Sequence, residues 1–395
     1  MISPLLQNYN RAEIAFVRGE GPYLFDEKGQ RYLDFGTGLA VTGLGHCHPH
    51  LVEALREQAG KLWHTSNLYR IPGQEILARR LVENSFADVA FFCNSGAEAM
   101  EAAIKMARHH HFSAGNPERY RLITFEGAFH GRTLATIAAG GTPKYLEGFG
   151  PKVEGFDQVP AFDFDAVVRA YGPETAGILI EPIQGEVGIK TPPPGFLKRL
   201  REFCDQKGIL LVLDEIQCGL GRTGRLFSYE EEGITPDIMA IAKGLGGGFP
   251  VGACLATERA AKGMVPGTHG TTFGGNPLAM AAANATMDVM LAPGFLDRVR
   301  SLGGYLQQRL SMLLAEHSGT IAEIRGSGLM LGLRLHVPNA AFVAKLREKR
   351  MLAVGATENV VRLLPPLIIE ERHIDEAAAA LSEACASFET ARKAG

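Results

Sequence analysis

The sequence lacks any marked excess of charge, any long apolar run and any regular cysteine pattern. Its 395 residues hold 40 Lys and Arg against 43 Asp and Glu, a net charge of −3. A chain so close to neutral has no basic surface for nucleic acid or an acidic membrane. No apolar run approaches the roughly 18 residues of a membrane-spanning helix, and the N-terminus lacks the layout of a signal peptide. We therefore expect a cytoplasmic protein that binds neither nucleic acid nor a membrane.

Cysteine is scarce and irregularly spaced. The six cysteines never form a CxxC pair, and they are Cys47, Cys93, Cys204, Cys218, Cys254 and Cys385. Such scatter is typical of buried free thiols in a reducing compartment, not of a disulfide framework. Three histidines surround Cys47, but their spacing matches no common zinc site and Pro49 interrupts the run, so we expect no metal.

Short apolar runs alternate with helix-like stretches between about residues 88 and 260. The predicted strands are 89–93, 121–125, 177–180, 209–213, 238–242 and 251–256. They are rich in Ile, Leu, Val and Phe without strict alternation, which is typical of strands buried on both faces. Helical patterns at 97–110 and 195–207 lie between them. This order predicts an α/β domain with a mostly parallel sheet and helices on both sides.

The two ends of the chain have a different pattern. Residues 23–35 predict a hairpin with its turn at 27–30. The C-terminal region predicts helices and short strands, at 296–317, 329–335, 360–364 and 373–392. We expect a large cofactor-binding domain and a small α+β domain built from both termini. The predicted division of the chain is 1–60 (small), 61–290 (large) and 291–395 (small).

Four predicted strands are followed by residues that can take part in catalysis or ligand binding. Asp214, Phe129 and Lys243 follow three of them, and Ser95-Gly96-Ala97 follows a fourth and opens a helix. In an open parallel sheet such ends meet at one edge, where ligands bind. Burial there would lower the pKa of a lysine and free a nucleophilic amine. A helix N-terminus made of small residues suits a phosphate.

Each of these features also has an ordinary structural explanation. Ser95 is a preferred helix cap, an acid at a strand end is often structural, and phenylalanine is most often a core residue. Together, however, they match what pyridoxal phosphate needs. This cofactor needs a lysine that forms a Schiff base, a carboxylate that keeps its pyridine nitrogen protonated, a phosphate site and an aromatic ring that stacks on it. Gln217, just past its strand, can bond the phenolic oxygen of that ring.

Longer motifs carry a family resemblance. The segments EGAFHGRT, EPIQGEVG, LVLDEIQCGLGRTG, PDIMAIAKGLGGGFPVGA and HGTTFGGNPLA resemble those of class III (ornithine-type) aminotransferases of fold type I. LDFGTGLAVTGLGHCHP and HTSNLY resemble the acetylornithine aminotransferase branch in particular. The resemblance runs from about residue 20 to 370. It implies pyridoxal 5'-phosphate as the cofactor and a homodimer as the assembly.

The resemblance implies a cofactor role for each matching residue. Lys243 corresponds to the Schiff-base lysine, Asp214 to the partner of the pyridinium nitrogen, and Gln217 to the partner of the phenolic oxygen. Phe129 corresponds to the stacking ring. The other cofactor contacts are expected from Ser95, Gly96, Ala97, His130, Glu181 and, reaching across from the neighbouring subunit, Thr272.

Three further matches concern the substrates. Arg132 corresponds to the arginine that holds the α-carboxylate of an acylated ornithine or the γ-carboxylate of glutamate, since its fork bonds two oxygens at once. Arg362 corresponds to a second arginine, which grips the α-carboxylate of glutamate. Glu186 corresponds to the glutamate that covers Arg362 when the amine donor has no carboxylate there. Without the resemblance, each would pass for an ordinary ion pair.

One departure from the pattern of ornithine aminotransferases narrows the choice of substrate. Ornithine aminotransferases carry a tyrosine before the GHCHP motif, where it contacts a free α-amino group, and residues 36–41 here contain none. This favours N-acetylornithine or N-succinylornithine over ornithine. The expected reaction with 2-oxoglutarate gives N-acylglutamate 5-semialdehyde and glutamate, a step of arginine biosynthesis.

Alternative functions remain at this stage. Within the same chemistry they are an ornithine or 4-aminobutyrate transaminase or an aminomutase. From other classes they are a non-catalytic binding protein and a dinucleotide-dependent oxidoreductase, since residues 219–224 fit G-x-G-x-x-G. Five residues separate that motif from its strand and no amphipathic helix follows it, which disfavours a nucleotide loop.

Overall fold

The computed structural model describes residues 4–394, with side chains described as far as residue 390. Its strands are β1 (Phe16–Glu20), β2 (Tyr23–Asp26), β3 (Arg31–Asp34), β4 (Val89–Cys93), β5 (Arg121–Phe125), β6 (Phe156–Val159), β7 (Thr175–Ile180), β8 (Leu210–Asp214), β9 (Ile238–Ile241), β10 (Gly252–Ala256), β11 (Ile321–Ser327), β12 (Met330–Leu335), β13 (Met351–Leu352), β14 (Val354–Ala356) and β15 (Val360–Leu363). Its helices are α1 (Thr37–Ala40), α2 (Pro49–Ala59), α3 (Pro72–Glu83), α4 (Gly96–Ser113), α5 (Leu134–Gly140), α6 (Pro143–Leu146), α7 (Phe164–Ala170), α8 (Phe196–Lys207), α9 (Glu258–Ala261), α10 (Pro277–Met290), α11 (Phe295–Glu316), α12 (Asn339–Glu348) and α13 (Glu371–Ala394).

A seven-stranded sheet forms the centre of the molecule, in the order β4-β10-β9-β8-β7-β5-β6. The strands from β6 to β9 pair in parallel, whereas β10 is antiparallel to both β9 and β4. Strand β4 therefore points the same way as the parallel strands. The prediction of an α/β fold with a mostly parallel sheet is confirmed, with strand ends displaced by one or two residues.

The apolar runs bury the sheet on both faces. Strands β7, β8, β9 and β10 are buried along their whole length. In β8, Leu210 and Val212 pack with the α4 side of the sheet, and Leu211 and Leu213 pack with the α8 side. Because both faces are covered, the four positions of β8 before Asp214 are all apolar, and the run does not alternate.

The chain ends are joined by a small four-stranded sheet, β1-β2-β3-β13. The predicted hairpin is present as β2 and β3, and β13 adds to it in parallel, with Met351 opposite Leu33. A second sheet has the order β11-β12-β15-β14. This pairing of N-terminal and C-terminal strands agrees with a domain built from both ends. The boundaries at residues 61 and 291 stay a prediction.

A left-handed turn lies between the two parts of the fold. Residues 37–40 all have positive φ, between 45° and 70°, a conformation that costs non-glycine residues roughly 1–2 kcal/mol each. Two buried contacts hold it: Asp34 accepts the N–H of Thr37 at 2.9 Å, and Thr37 Oγ1 donates to the Leu364 carbonyl at 2.8 Å. Strain of this kind is concentrated at functional sites.

The structure bears on two expectations drawn from composition, the state of the cysteines and the lack of a membrane-spanning helix. The six cysteines are free thiols, as predicted. Cys47 is exposed, so the expectation that it is buried was wrong; it lies in the turn before α2, with a φ of 52°. Among the residues described, no helix has both the length and the apolar character to cross a membrane.

Candidate functional site

The direction of the strands brings the predicted residues to one edge of the central sheet. Strands β4, β5, β7, β8 and β9 all end there, and each is followed by residues expected to carry chemistry. Strand β10 runs the other way, so its beginning lies at the same edge. This edge of the sheet borders a cavity of about 400 Å³.

Most of the predicted site residues line this cavity. They are Ser95, Gly96, Ala97, Phe129, His130, Arg132, Glu181, Asp214, Gln217 and Lys243. Glu186 and Arg362 lie beside it, and Arg362 Nη1 is 3.4 Å from Gln217 Oε1. Thr272 is exposed and does not line the cavity of its own chain. Its predicted role depends on a second subunit.

Lys243 begins a 3-10 turn two residues after β9, and its φ is 44°. Its side chain is half-buried, and its amine has no hydrogen-bonding or ion-pairing partner among the residues described. Burial lowers the pKa of Lys243, and this effect outweighs the nearby negative charges of Glu186 and Asp214, which raise it. A lysine in this setting gives up its proton more readily than an exposed lysine does.

Three buried titratable groups lie at the floor of the cavity. Asp214, at the end of β8, is 3% exposed, and His130 and Glu181 are 1% and 5% exposed. Asp214 Oδ2 is 2.8 Å from His130 Nδ1. Burial opposes a charge on His130, but the hydrogen bond and the charge of Asp214 raise its pKa. Burial, with Asp214 nearby, raises the pKa of Glu181 to about 7. His130 therefore holds the Asp214 carboxylate in a defined orientation.

The N-terminus of α4 forms one wall of the cavity. Ser95 Oγ accepts the N–H of Glu98 at 3.2 Å and caps the helix. The amides of Gly96 and Ala97 belong to its first turn, which has no acceptors within the helix, and the positive end of the dipole lies behind them. Gly131 has a φ of 132°, and a Cβ there would lie 3.0 Å from Ala97 Cβ. This glycine lets the loop after β5 approach the helix, beside a site suited to a phosphate.

Aromatic rings and a free arginine form the mouth of the cavity. The N–H of Phe129 donates to Glu181 Oε1 at 2.8 Å, which holds the Phe129 backbone against the cavity floor. The Arg132 guanidinium lies 3.8 Å from the centre of the Tyr145 ring and 5.6 Å from that of Phe129. Arg132 is exposed and forms no ion pair with the residues described. Its fork is available for a carboxylate.

The predicted contact between Glu186 and Arg362 is present as a short ion pair. Arg362 is 2% exposed, and its Nη1 lies 2.5 Å from Glu186 Oε1. Glu186 is half-buried. The pair satisfies a buried guanidinium that would otherwise carry a large desolvation cost.

Sequence reasoning missed an apolar wall of the cavity. Phe249, Pro250 and Val251 precede β10 and line the cavity. A residue that precedes a parallel strand lies at the opposite edge of the sheet, and the sequence contains no sign that β10 is reversed. Ile216 also lines the cavity, and a Cβ on Gly96 would lie 3.0 Å from its Cδ1. Because Ile216 lies between Asp214 and Gln217 in the sequence, its place in the cavity lining could have been predicted.

These donors fit pyridoxal 5'-phosphate. The cavity offers an amine without a partner, a buried carboxylate, a helix N-terminus and an aromatic ring, which are the groups that this cofactor uses. Among the residues described, no cluster of three or more His, Cys, Asp or Glu side chains is suited to a metal ion.

Comparison with known proteins places the chain in a family. The profile of the family named aminotransferase class-III matches residues 6–385. This chain belongs to the class-III aminotransferases. Acetylornithine aminotransferase 1 of Bradyrhizobium diazoefficiens is 58% identical over 388 residues, which are 98% of this chain and 96% of that protein. The acetylornithine aminotransferase of Mesorhizobium japonicum is 61% identical over 375 residues, 95% of this chain and 94% of that protein.

Solved structures of class-III aminotransferases have the same fold. The ornithine aminotransferase of Toxoplasma gondii, described with partial occupancy of PLP at its active site, superposes with a TM-score of 0.94 at 34% identity. The aligned part covers 99% of this chain and 94% of that one. The N-acetylornithine aminotransferase of Stenotrophomonas maltophilia has a TM-score of 0.85 at 37% identity, with 97% and 98% coverage.

Because the chain belongs to this family, the alternative of a dinucleotide-dependent oxidoreductase is excluded. The G-x-G-x-x-G segment at 219–224 has a structural role instead. Its Arg222 is 2% exposed, and its Nη1 donates to the carbonyl of Leu329 at 3.3 Å and to that of Pro365. The segment thus ties the large sheet to the C-terminal region.

The lowered pKa of Lys243 has a measurable consequence. In cofactor-free protein, the rate at which an acylating reagent labels Lys243 should follow a titration curve with a midpoint below the ordinary lysine value of 10.5. The physical reason is that burial disfavours the ammonium form. Competitive labelling across a pH series, read by peptide mass spectrometry, measures the midpoint. A value at or above 10.5 would show that the carboxylates nearby dominate.

Proposed function

We propose that this class-III aminotransferase moves an amino group between N-acetylornithine and 2-oxoglutarate, giving N-acetylglutamate 5-semialdehyde and glutamate in arginine biosynthesis. The observation that carries the choice of substrate is Val41, which the left-handed turn at 37–40 presents to the cavity. An apolar side chain there suits the neutral amide of an acylated substrate and leaves a free α-ammonium without a partner. Two near-full-length relatives with the corresponding name support the proposal.

The cofactor is pyridoxal 5'-phosphate, whose pyridine ring withdraws electrons from the substrate carbon when it is bound. We assign Lys243 as the residue that links to it and Asp214, held by His130, as the carboxylate that faces its ring nitrogen. Ser95, Gly96 and Ala97 hold its phosphate. Phe129 stacks on the ring, Gln217 bonds its phenolic oxygen, and Glu181 supports the loop through the Phe129 amide.

Lys243 moves the proton in the reaction. Burial lowers the pKa of its amine and so favours the unprotonated form, and an unprotonated amine can take a proton from the substrate carbon and return it. Lys243 carries the one side-chain amine in the described lining of the cavity, and the imidazole there, that of His130, is bound to Asp214 at 2.8 Å. The same group therefore serves as both base and acid.

Two arginines let one cavity accept two unlike amine donors. Arg132, at the mouth, binds the carboxylate remote from the reacting amine. Arg362 binds the α-carboxylate of glutamate once Glu186 has moved away. When the donor is N-acetylornithine, which has no carboxylate at that end, Glu186 remains on Arg362 at 2.5 Å and keeps the buried charge paired.

The active assembly that we propose is a homodimer in which Thr272 completes the phosphate site of the neighbouring subunit. Exposed apolar side chains lie next to Thr272 in the chain and on a second segment, residues 62–69: Phe273 (60% exposed), Leu62 (50%), Trp63 (64%), Leu68 (86%) and Tyr69 (69%). Asn67 ties their two segments together through the carbonyls of Thr271 and Gly274, at 3.2 and 2.9 Å. A group of exposed apolar side chains of this kind is typical of a subunit interface.

The dimer proposal predicts that Leu68→Arg weakens the assembly, because an arginine would be buried in an apolar interface without a partner. Sedimentation velocity at micromolar concentration should find a dimer for the natural chain and a shift towards monomer for the variant. Phe112→Arg, at another exposed apolar position (62% exposed), serves as the control and should leave the dimer intact. A monomeric natural chain would contradict the proposal.

The function itself is tested with a panel of amine donors. Holoenzyme is mixed with N-acetylornithine, ornithine, 4-aminobutyrate or glutamate, and the change in the visible absorption of the cofactor is followed in a single half-reaction. N-acetylornithine should react with a kcat/KM at least about tenfold above that of ornithine, the effect expected when an ammonium loses its partner. Faster reaction of ornithine or 4-aminobutyrate would overturn the choice of substrate.

Glu186→Ala should shift the preference of the enzyme towards glutamate. Without the carboxylate, Arg362 is permanently uncovered, and glutamate no longer has to displace a charged partner. We expect the ratio of kcat/KM for glutamate to that for N-acetylornithine to rise about tenfold. Glu323→Ala, which removes a carboxylate bonded to Arg325 and Arg334 away from the cavity, is the matched control. An unchanged ratio in Glu186→Ala would count against the gate.

A further inference from the structure

A second cavity adjoins the active site between the large sheet and the C-terminal region. Its volume is about 580 Å³, and it shares Phe129 with the first cavity. Tyr145, whose ring Arg132 covers at 3.8 Å, forms part of its wall. Arg132 therefore lies at the border between the two cavities.

One face of helix α12 lines the far side of this second cavity. Asn339, Ala340, Val343 and Arg347 contribute to the lining, and their spacing of one, three and four residues places them along one side of a helix. Asn339 is already occupied, since its Nδ2 donates to the carbonyls of Ala356 and Val360 at 2.7 and 2.9 Å. The face thus presents one charged group, Arg347.

The guanidinium of Arg347 has no partner in the part of the chain whose side chains are described. The residue is half-buried, and its side chain forms neither a hydrogen bond nor an ion pair there. Glu186 is the other charged residue in the lining, and Arg362 neutralises it at 2.5 Å. The cavity consequently has a net positive character, and Arg347 presents a guanidinium fork to whatever enters it.

The shape of the substrate directs its acyl group to this cavity. In an N-acylornithine the reacting amine is at one end, and the α-carboxylate and the acyl amide share one carbon at the other end. With the amine at Lys243 and the carboxylate on Arg132, the acyl group leaves the first cavity at the border where Arg132 and Tyr145 lie. The second cavity is the space that opens there.

We propose that Arg347 is a specificity residue that binds a carboxylate at the end of the acyl group, so that the enzyme favours an acyl chain ending in an anion over an uncharged chain of equal length. The proposal rests on the function proposed above, because Arg132 must hold the α-carboxylate. Binding occurs through a charge-assisted hydrogen bond remote from the reacting carbon, so its effect falls on KM and leaves kcat nearly unchanged.

The test compares three donors with the holoenzyme: N-acetylornithine, N-butyrylornithine and N-succinylornithine. Butyryl and succinyl chains have the same number of carbon atoms and differ in the terminal carboxylate. The natural enzyme should use the succinyl substrate with a KM about tenfold below that of the butyryl substrate. Arg347→Gln should bring the two KM values together, and Arg347→Lys should retain part of the difference. The natural enzyme and both variants should use N-acetylornithine equally well. Lys345→Gln removes a charge from the same helix outside the cavity lining and should change nothing.

The outcomes separate this inference from the proposed function. Use of N-acetylornithine with equal KM for the succinyl and butyryl substrates, or a succinyl preference that survives in Arg347→Gln, would overturn the inference alone. No turnover of any N-acylornithine would overturn both proposals. A second measurement needs no variant: the succinyl preference of the natural enzyme should shrink as ionic strength rises, because salt screens a half-exposed charge pair. A preference independent of salt would also overturn the assignment.

Discussion

The common direction of five strands in the central sheet is the constraint on which the site depends. Strands β4, β5, β7, β8 and β9 end at one edge, so groups far apart in the chain, such as Ser95, Phe129, Asp214 and Lys243, line one cavity. Each loop is held by the sheet behind it, which is buried on both faces. A slip of one strand would turn its whole apolar set and displace the residue at its end.

The electrostatics of the site follow from that burial. Removing Lys243 from water lowers its pKa, and removing Glu181 from water raises the pKa of that acid to about 7. Asp214 keeps a partner at 2.8 Å in His130, whose pKa it raises. An amine that gives up its proton more readily than in water and an oriented carboxylate thus lie in the same cavity. Pyridoxal phosphate chemistry requires both.

Substrate choice depends on a different part of the molecule. The residues to which we assign the distinction between amine donors lie on loops and on elements from the chain termini: Val41 after a left-handed turn, Glu186 after β7, Arg362 on β15 and Arg347 on α12. Their positions relative to the cavity depend on how the C-terminal region packs against the central sheet. The same cofactor site can therefore serve different substrates when only these residues change.

The sequence alone was enough for the fold class, the family and most of the residues that line the cavity. Buried strands and amphipathic helices are local patterns, and the residues at strand ends could be assigned to one edge by a general rule of parallel sheets. The direction of β10 could not be predicted from the sequence, because strand direction depends on the partners available. For the same reason, the sequence did not place Phe249 and Pro250 in the cavity lining. The pairing of Arg362 with Glu186 was expected only through the family resemblance. The free guanidinium of Arg347 and the second cavity were decided by tertiary structure alone, since an arginine on a helix face is chemically ordinary until packing determines what lies opposite it.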